Sequence, residues 1–160
     1  MAKIGVGDGF ACALFVNTMN PGNNHVRCWG KGKYLGADLE EIVDDAVQQP
    51  QVVKTSDGSA TLLAVKDLAV GKHHACALQY TDTNDDLWCW GVNGTEKVIK
   101  NDGDPEDIHR KPYNSVHLSS HAPGKNIKAV MAGEDVTCYL TEGNDGSYVQ
   151  TCFGKNYNNP

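Results

Sequence analysis

The chain has 160 residues, a formal net charge of −6 and 40% hydrophobic residues. This hydrophobic content is enough for a folded core and argues against general disorder. No apolar run approaches the roughly 20 residues that a membrane-spanning helix needs, and the N-terminal residues lack the apolar core of a signal peptide. Because lysines and arginines are scattered singly, the chain lacks the basic surface that phosphate contacts require, and we expect no nucleic-acid partner.

Short strands bounded by turn residues recur along the chain, which is typical of an all-β array. In the first third, strands are predicted at Ile4–Val6, Phe10–Val16 and His25–Trp29. The acidic segment Asp38–Val47 is predicted to form one or two helical turns, and a fourth strand is predicted at Gln51–Lys54.

The second third repeats this order. Strands are predicted at Val65–Val70, Ala75–Tyr80 and Leu87–Trp90. The segment Lys100–Lys125, rich in Asp, Pro, His and Asn, is predicted to be a long loop, with a fourth strand suggested at Asn114–Leu118.

The last third is predicted to contain three strands, at Ile127–Met131, Val136–Thr141 and Tyr148–Phe153. The sequence ends shortly after the third of these strands, so no fourth strand is expected to follow it.

Self-comparison shows three copies of one unit. Each copy carries a glycine five residues before a cysteine and a leucine two residues after it, in Val6–Leu14, Val70–Leu78 and Ala132–Leu140. A second cysteine follows in each copy within matching triplets, Cys28-Trp29-Gly30, Cys89-Trp90-Gly91 and Cys152-Phe153-Gly154. Agreement at this level predicts a repeat architecture.

The two cysteines of each copy lie 16, 13 and 14 residues apart, with turn-rich sequence between them. Two strands folding back about such a turn would place the cysteines opposite each other, at a separation close to that of a disulfide. The favoured pairs are Cys12–Cys28, Cys76–Cys89 and Cys138–Cys152. Reduced buried cysteines are the alternative, whereas a zinc site is disfavoured because short Cys-x-x-Cys spacings are absent. Paired cysteines predict an extracellular or other oxidising extracytoplasmic compartment.

The order Val-x-Gly, His-x-Cys-Ala-Leu, Trp-Cys-Trp-Gly resembles the repeats of the regulator of chromosome condensation family. Val70–Leu78 followed by Leu87–Gly91 carries the resemblance most clearly. In that family each repeat supplies one four-stranded blade, and about seven blades close a β-propeller. The cysteine pairs are similar to those of an extracellular subgroup, which includes receptor-kinase ectodomains and secreted bacterial proteins.

The resemblance implies an all-β fold, a partial β-propeller of three four-stranded-type blades, each clasped by an intra-blade disulfide. Blade 1 would cover about 4–55, blade 2 about 64–120, and blade 3 about 126–160 with its C-terminal part incomplete. The exchange activity of the nuclear family member is not expected, because disulfides fit a nuclear location badly.

Three blades are fewer than a ring requires, so open strand edges are expected at both ends. The predicted function is therefore an extracytoplasmic structural or interaction protein that self-assembles, or docks a partner that completes the propeller. A carbohydrate- or other ligand-binding propeller module is the alternative, and a fragment of a longer propeller protein, such as a receptor ectodomain or enzyme inhibitor, is the third reading. No catalytic or cofactor motif is present, so we expect neither an enzyme nor a cofactor.

Two short polar motifs are candidate sites. Asp82, Asn84 and Asp86 alternate as the first ligands of a calcium loop do, but Leu87 stands where such a loop needs glycine, and an acidic solvated turn is the alternative. Asn93, in Asn-Gly-Thr, is a candidate glycosylation site if the protein follows a eukaryotic secretory route.

The aromatic residue of each Cys-aromatic-Gly triplet recurs at one repeat position. Trp29, Trp90 and Phe153 are predicted to be core residues of the blades, with a ligand-stacking surface as the alternative. Trp88 is less constrained and is predicted to be more exposed, while His73 and His74 are predicted to have packing roles.

Overall fold

The computed structural model describes residues 3–37, 46–55, 57–80, 85–92, 108–114 and 126–154. Within these residues the chain forms two short 3-10 helices, at Pro21–Asn23 and Gly32–Tyr34. The remaining regular elements are strands: β1 (Lys3–Val6), β2 (Phe10–Phe15), β3 (His25–Lys31), β4 (Ala46–Val52), β5 (Val65–Val70), β6 (His74–Tyr80), β7 (Asp85–Val92), β8 (Ile108–Asn114), β9 (Asn126–Ala132), β10 (Val136–Glu142) and β11 (Tyr148–Gly154). In this part of the chain no helix is long and apolar enough to cross a membrane.

The strands form three antiparallel sheets, one for each sequence repeat. Their strand orders are β1-β2-β3-β4, β5-β6-β7-β8 and β9-β10-β11. We call these sheets blade 1, blade 2 and blade 3. The fold is therefore all-β, a partial β-propeller, and its third blade has three strands within the described residues.

The two cysteine-bearing strands of each repeat pair in the register that the cysteine spacing predicts. Cys12 lies directly opposite Cys28, Cys76 opposite Cys89, and Cys138 opposite Cys152. The Cα–Cα distances of these pairs are 4.1, 4.1 and 4.0 Å, which suits directly opposed residues of an antiparallel pair. All six cysteines form disulfides, in the favoured pairs, so each blade carries its own covalent clasp.

The backbone conformation explains why a glycine ends each Cys-aromatic-Gly triplet. Gly30, Gly91 and Gly154 have φ angles of +110°, +106° and +110°, a region that residues with a side chain rarely adopt. A Cβ atom at any of the three would also collide with a backbone carbonyl oxygen of the preceding turn. The Cys-aromatic-Gly triplets therefore mark the place where the third strand bends.

The fourth strands differ from the sequence prediction. In blade 2 the strand β8, Ile108–Asn114, lies within the segment predicted to be a loop, and ends where the suggested strand was to begin. In blade 1 the strand β4 begins at Ala46, so the predicted helical segment is wrong at its last two residues, while its earlier part lies outside the described residues. Both strands pair with a third strand whose backbone groups need partners, and Pro112 is tolerated because β8 lies at a sheet edge.

Two apolar cores lie between successive blades. The first buries a face of blade 1 against blade 2, and its members include Phe10, Cys12, Leu14, Cys28, Leu68, Ala75, Ala77 and Trp90. The second buries the other face of blade 2 against blade 3, and its members include Ala69, Cys76, Leu78, Leu87, Cys89, Ile127, Val130, Tyr139 and Phe153.

The innermost parts of the blades lie side by side. The amide of Asp8 in blade 1 donates to the carbonyl of Lys72 in blade 2 over 2.7 Å, and the amide of Lys72 donates to the carbonyl of Gly133 in blade 3 over 3.2 Å. We call this region the hub. The same turn of each repeat is thus joined to the next by backbone hydrogen bonds.

Candidate interaction surface

Each internal interface joins two different faces of the repeat. The disulfides Cys12–Cys28 and Cys76–Cys89 lie on the face that looks toward the following blade, and all four cysteines are fully buried there. The aromatic residues Trp90 and Phe153 lie on the face that looks toward the preceding blade. Trp90 is fully buried, and its indole N–H donates to the carbonyl of Tyr34 in blade 1 over 3.0 Å.

The outer face of blade 1 carries the third member of the aromatic series. In this sheet Ile4 lies opposite Ala13, and Ala11 lies opposite both Val6 and Trp29. Residues opposed in a sheet share a face, so these five side chains point away from blade 2. We call these five residues the tryptophan face. Ile4 is 64% and Val6 is 74% exposed, and Trp29 is half-buried.

The outer face of blade 3 carries the third disulfide. Along β10, Thr137, Tyr139 and Thr141 are buried toward blade 2, whereas the residues between them are half-buried and point away. Met131 lies opposite Cys138 and is 45% exposed, and Cys152 is exposed. We call the outward set the disulfide face, formed by Met131, Val136, Cys138, Leu140 and Cys152.

A groove of about 650 Å³ opens beside the tryptophan face, at the other end of blade 1 from the hub. Among the described residues its lining mixes apolar and neutral polar side chains with one cation and no carboxylate: Phe15, Val16, Asn17, Thr18, Asn23, His25, Arg27, Val52, Thr61 and Leu63.

Three side chains of the groove form a stack. The rings of Phe15 and His25 are nearly parallel, with centroids 5.5 Å apart, and the Arg27 guanidinium lies 5.6 Å from the Phe15 centroid. Arg27 Nε donates to His25 Nε2 over 3.3 Å, so His25 Nδ1 carries the proton and donates to the carbonyl of Asn23 over 3.1 Å. Arg27 has no acidic partner among the described residues, which leaves its positive charge available to an anion.

Charged side chains also link the blades at the hub. Asp8 of blade 1 lies 3.0 Å from His73 Nε2 of blade 2, and Lys72 of blade 2 pairs with Glu134 of blade 3. The hydrogen bond from His73, and then the positive charge of Lys31, lower the pKa of Asp8. The hydrogen bond and charge of Glu134 raise the pKa of Lys72. Because these groups are exposed, the pairs orient the turns more than they stabilise the fold.

The aromatic and histidine positions named from the sequence have different surroundings. Trp90 is buried, as predicted for a core residue, whereas Trp29 faces outward. Trp88 is half-buried and donates to Gln79 Oε1 over 2.7 Å. His74 is fully buried between blades 2 and 3, where its Nε2 lies 2.8 Å from Thr137 Oγ1.

The two polar motifs are only partly covered by the structure. Asp82, Asn84 and Asn93 lie outside the described residues, and Asp86 is a half-buried residue of β7. Within the described ranges, no three His, Cys, Asp or Glu side chains lie close enough together to hold a metal ion. The calcium and glycosylation assignments therefore stay predictions.

Sequence reasoning did not identify the groove. The signal was available in β3, where His25, Arg27 and Trp29 alternate with Val26 and Cys28. Such alternation places the first three residues on one face of the sheet. What the sequence of β3 does not indicate is that Phe15, Thr61 and Leu63 from other parts of the chain form a groove with His25 and Arg27.

Comparison with known proteins gives matches among solved structures alone. No family model and no curated protein matches the sequence. Among solved structures, the chain is similar to the CRINKLY WD40 ectodomain of a receptor kinase from Arabidopsis thaliana, with 18% sequence identity and a TM-score of 0.46. The match covers 95% of this chain and 36% of that one, so the chain spans about a third of the length of the solved ectodomain.

Proposed function

We propose that this protein is an extracytoplasmic interaction protein that docks another protein blade onto its open faces, and that it has no catalytic role. One observation carries the proposal. Repeat positions that are buried at both internal interfaces are more accessible at the two ends of the array: Trp29 on the tryptophan face and Cys138 on the disulfide face are half-buried, and Cys152 is exposed. Three disulfides support an oxidising compartment.

The chemistry of the tryptophan face supports docking over simple exposure to water. Ile4 and Val6 are exposed neighbours on β1, and the half-buried Trp29 lies on the same face of the sheet, across Ala11. Contiguous exposed apolar surface on a soluble protein commonly marks an interaction site. Blades of the same repeat in another copy of the chain have the apolar surface that this face requires.

Sedimentation velocity under non-reducing conditions tests the proposal. We expect the mass of the oxidised protein to rise with concentration, and Val6→Arg to abolish the rise because a charge would be placed in the contact. Met19→Arg is the matched control, since Met19 is 94% exposed and belongs to neither face. A wild-type chain that stays monomeric at every concentration would contradict the proposal.

A second candidate function is favoured by the groove. Arg27, without an acidic partner in the described part of the chain, stands beside two stacked rings and apolar walls. This combination suits a small ligand with a carboxylate on a ring, such as an acidic saccharide.

Calorimetric titration separates this candidate from docking. We expect an oligosaccharide of uronic acids to bind, a neutral oligosaccharide of equal length not to bind, and Arg27→Met to lose the binding because it keeps the side-chain length but not the charge. The Lys33→Met variant serves as a control for overall charge, since it removes one positive charge from the Gly32–Tyr34 helix, whose residues do not line the groove. Absence of heat with the uronate would remove this candidate.

A further inference from the structure

We infer that the tryptophan face of one copy receives the disulfide face of a second copy, in a head-to-tail contact. This inference rests on the proposed docking function and names its partner. It depends on the way in which the repeat already packs on itself twice within one chain.

The pairing rule is the same at both internal interfaces. The Cys12–Cys28 disulfide lies in one core with Trp90 of the next blade, and the Cys76–Cys89 disulfide lies in one core with Phe153 of the next blade. The series has one further disulfide, Cys138–Cys152, and one further aromatic residue, Trp29. If the rule continues between copies, the Cys138–Cys152 disulfide of one copy packs against Trp29 of the next, and both groups are at least partly accessible at the ends of the array.

The innermost strands give a second register point. A Cβ atom on Gly5 would lie 2.5 Å from Val70 Cγ2, so these two positions touch where blades 1 and 2 meet. Where blades 2 and 3 meet, the corresponding positions are occupied by Ala69, a member of that core, and by Ala132, which packs against it. In the proposed contact between two copies, the corresponding positions are Met131 on the disulfide face and Val6 on the tryptophan face. Met131 is larger than its counterparts, but its unbranched side chain can turn along the face.

The direction of the contact follows from this rule. Neither internal interface joins two like faces, because each brings a disulfide-bearing face against an aromatic-bearing face. A two-fold dimer through two tryptophan faces would instead oppose Trp29 to Trp29 and would bring two Arg27 side chains to the same interface. A head-to-tail contact is heterologous and leaves one open face at each end, so it leads to a closed ring or to a filament.

Two substitutions on different faces test the direction. Val6→Arg blocks the tryptophan face and leaves the disulfide face intact, whereas Met131→Arg does the reverse. Each would bury an unpaired guanidinium in the contact, and we expect each variant alone to associate about 100-fold more weakly than the wild type. Mixed together they offer one intact face each, so we expect a 1:1 complex that does not grow further.

Native mass spectrometry of the two variants, one labelled with ¹⁵N, measures the outcome. Intact mass under non-reducing conditions and the near-ultraviolet circular dichroism check that both variants fold, and Ile4→Arg repeats the test on the tryptophan face. A mixed 1:1 complex supports the inference. Wild-type association in Met131→Arg, or no mixed complex, overturns the head-to-tail contact while docking through the tryptophan face stands. A monomeric wild-type chain at every concentration overturns both.

Discussion

The contact between Gly5 and Val70 sets how closely blades 1 and 2 approach, and it offers a quantitative test of the repeat logic. A Cβ atom on Gly5 would lie 2.5 Å from Val70 Cγ2 and 2.6 Å from Val70 Cβ. Because a β-branched side chain on a strand cannot swing aside, Gly5→Ala must push the two strands apart. Overpacking of this kind costs about 1–3 kcal/mol of unfolding free energy.

The compensating change is available from the neighbouring interface. Val70→Ala removes two methyl groups from a half-buried position, and at about 0.8 kcal/mol per buried group the expected loss is about 1 kcal/mol. The double variant has alanine at both positions, as Ala69 and Ala132 are in the next interface. We therefore expect the double variant to be about 1–2 kcal/mol more stable than the sum of the single effects predicts.

Urea unfolding of the oxidised protein, followed by far-ultraviolet circular dichroism at low protein concentration, gives the four free energies that are needed. Gly22→Ala is the control, since an added Cβ there would meet only the end of the Asn20 side chain. Additive effects of the two substitutions would refute the claim that corresponding positions of the two interfaces are interchangeable.

Three further predictions follow from burial and hydrogen bonding. Trp90→Phe should lower the unfolding free energy by about 2–3 kcal/mol, because it leaves a buried carbonyl without its donor and shrinks a fully buried side chain. Trp29→Phe should lower the unfolding free energy of the monomer by less than about 1 kcal/mol. Equal losses for the two variants in urea unfolding would argue against the assignment of faces. Hydrogen bonds from the neighbouring Thr and Ser hydroxyls lower the pKa of Asp57 to about 2 from its usual value near 3.8. The depressed pKa stabilises the folded state above the unfolded value, and this contribution is lost as the pH falls toward 2. Asp57→Asn should therefore weaken the acid dependence of stability in that window, and a carboxyl NMR titration with a midpoint near 4 would contradict it. In dilute protein the Cys138–Cys152 disulfide should be reduced before the two buried ones, as followed by alkylation and mass spectrometry, and simultaneous reduction of all three would count against its exposure.

Much of the fold could be predicted because the repeat contains its own register marks. Cysteines 13 to 16 residues apart around a turn can face each other only if the strands pair in one register. The glycine after each aromatic residue marks a bend that needs a positive φ. These features are local, so they are visible without knowledge of the neighbouring blades.

The fourth strands and the groove could not be predicted in the same way. The sequence of β8, Ile108–Asn114, is polar, contains a proline and lacks alternation, and it forms a strand because β7 offers an unpaired edge. Strand alternation predicts that Phe15 and Arg27 share a face of the sheet, but not that Thr61 and Leu63 close a groove beside them. Both outcomes depend on what packs against the strand, and this information lies elsewhere in the chain.

The placement of each disulfide within a single blade has a consequence for how such proteins change over time. No covalent cross-link passes from one blade to another. Duplication or loss of one whole repeat therefore always adds or removes a matched pair of cysteines and never leaves a stray thiol. Since the end faces correspond to the internal ones, the number of blades could vary between descendants without a new interface having to arise.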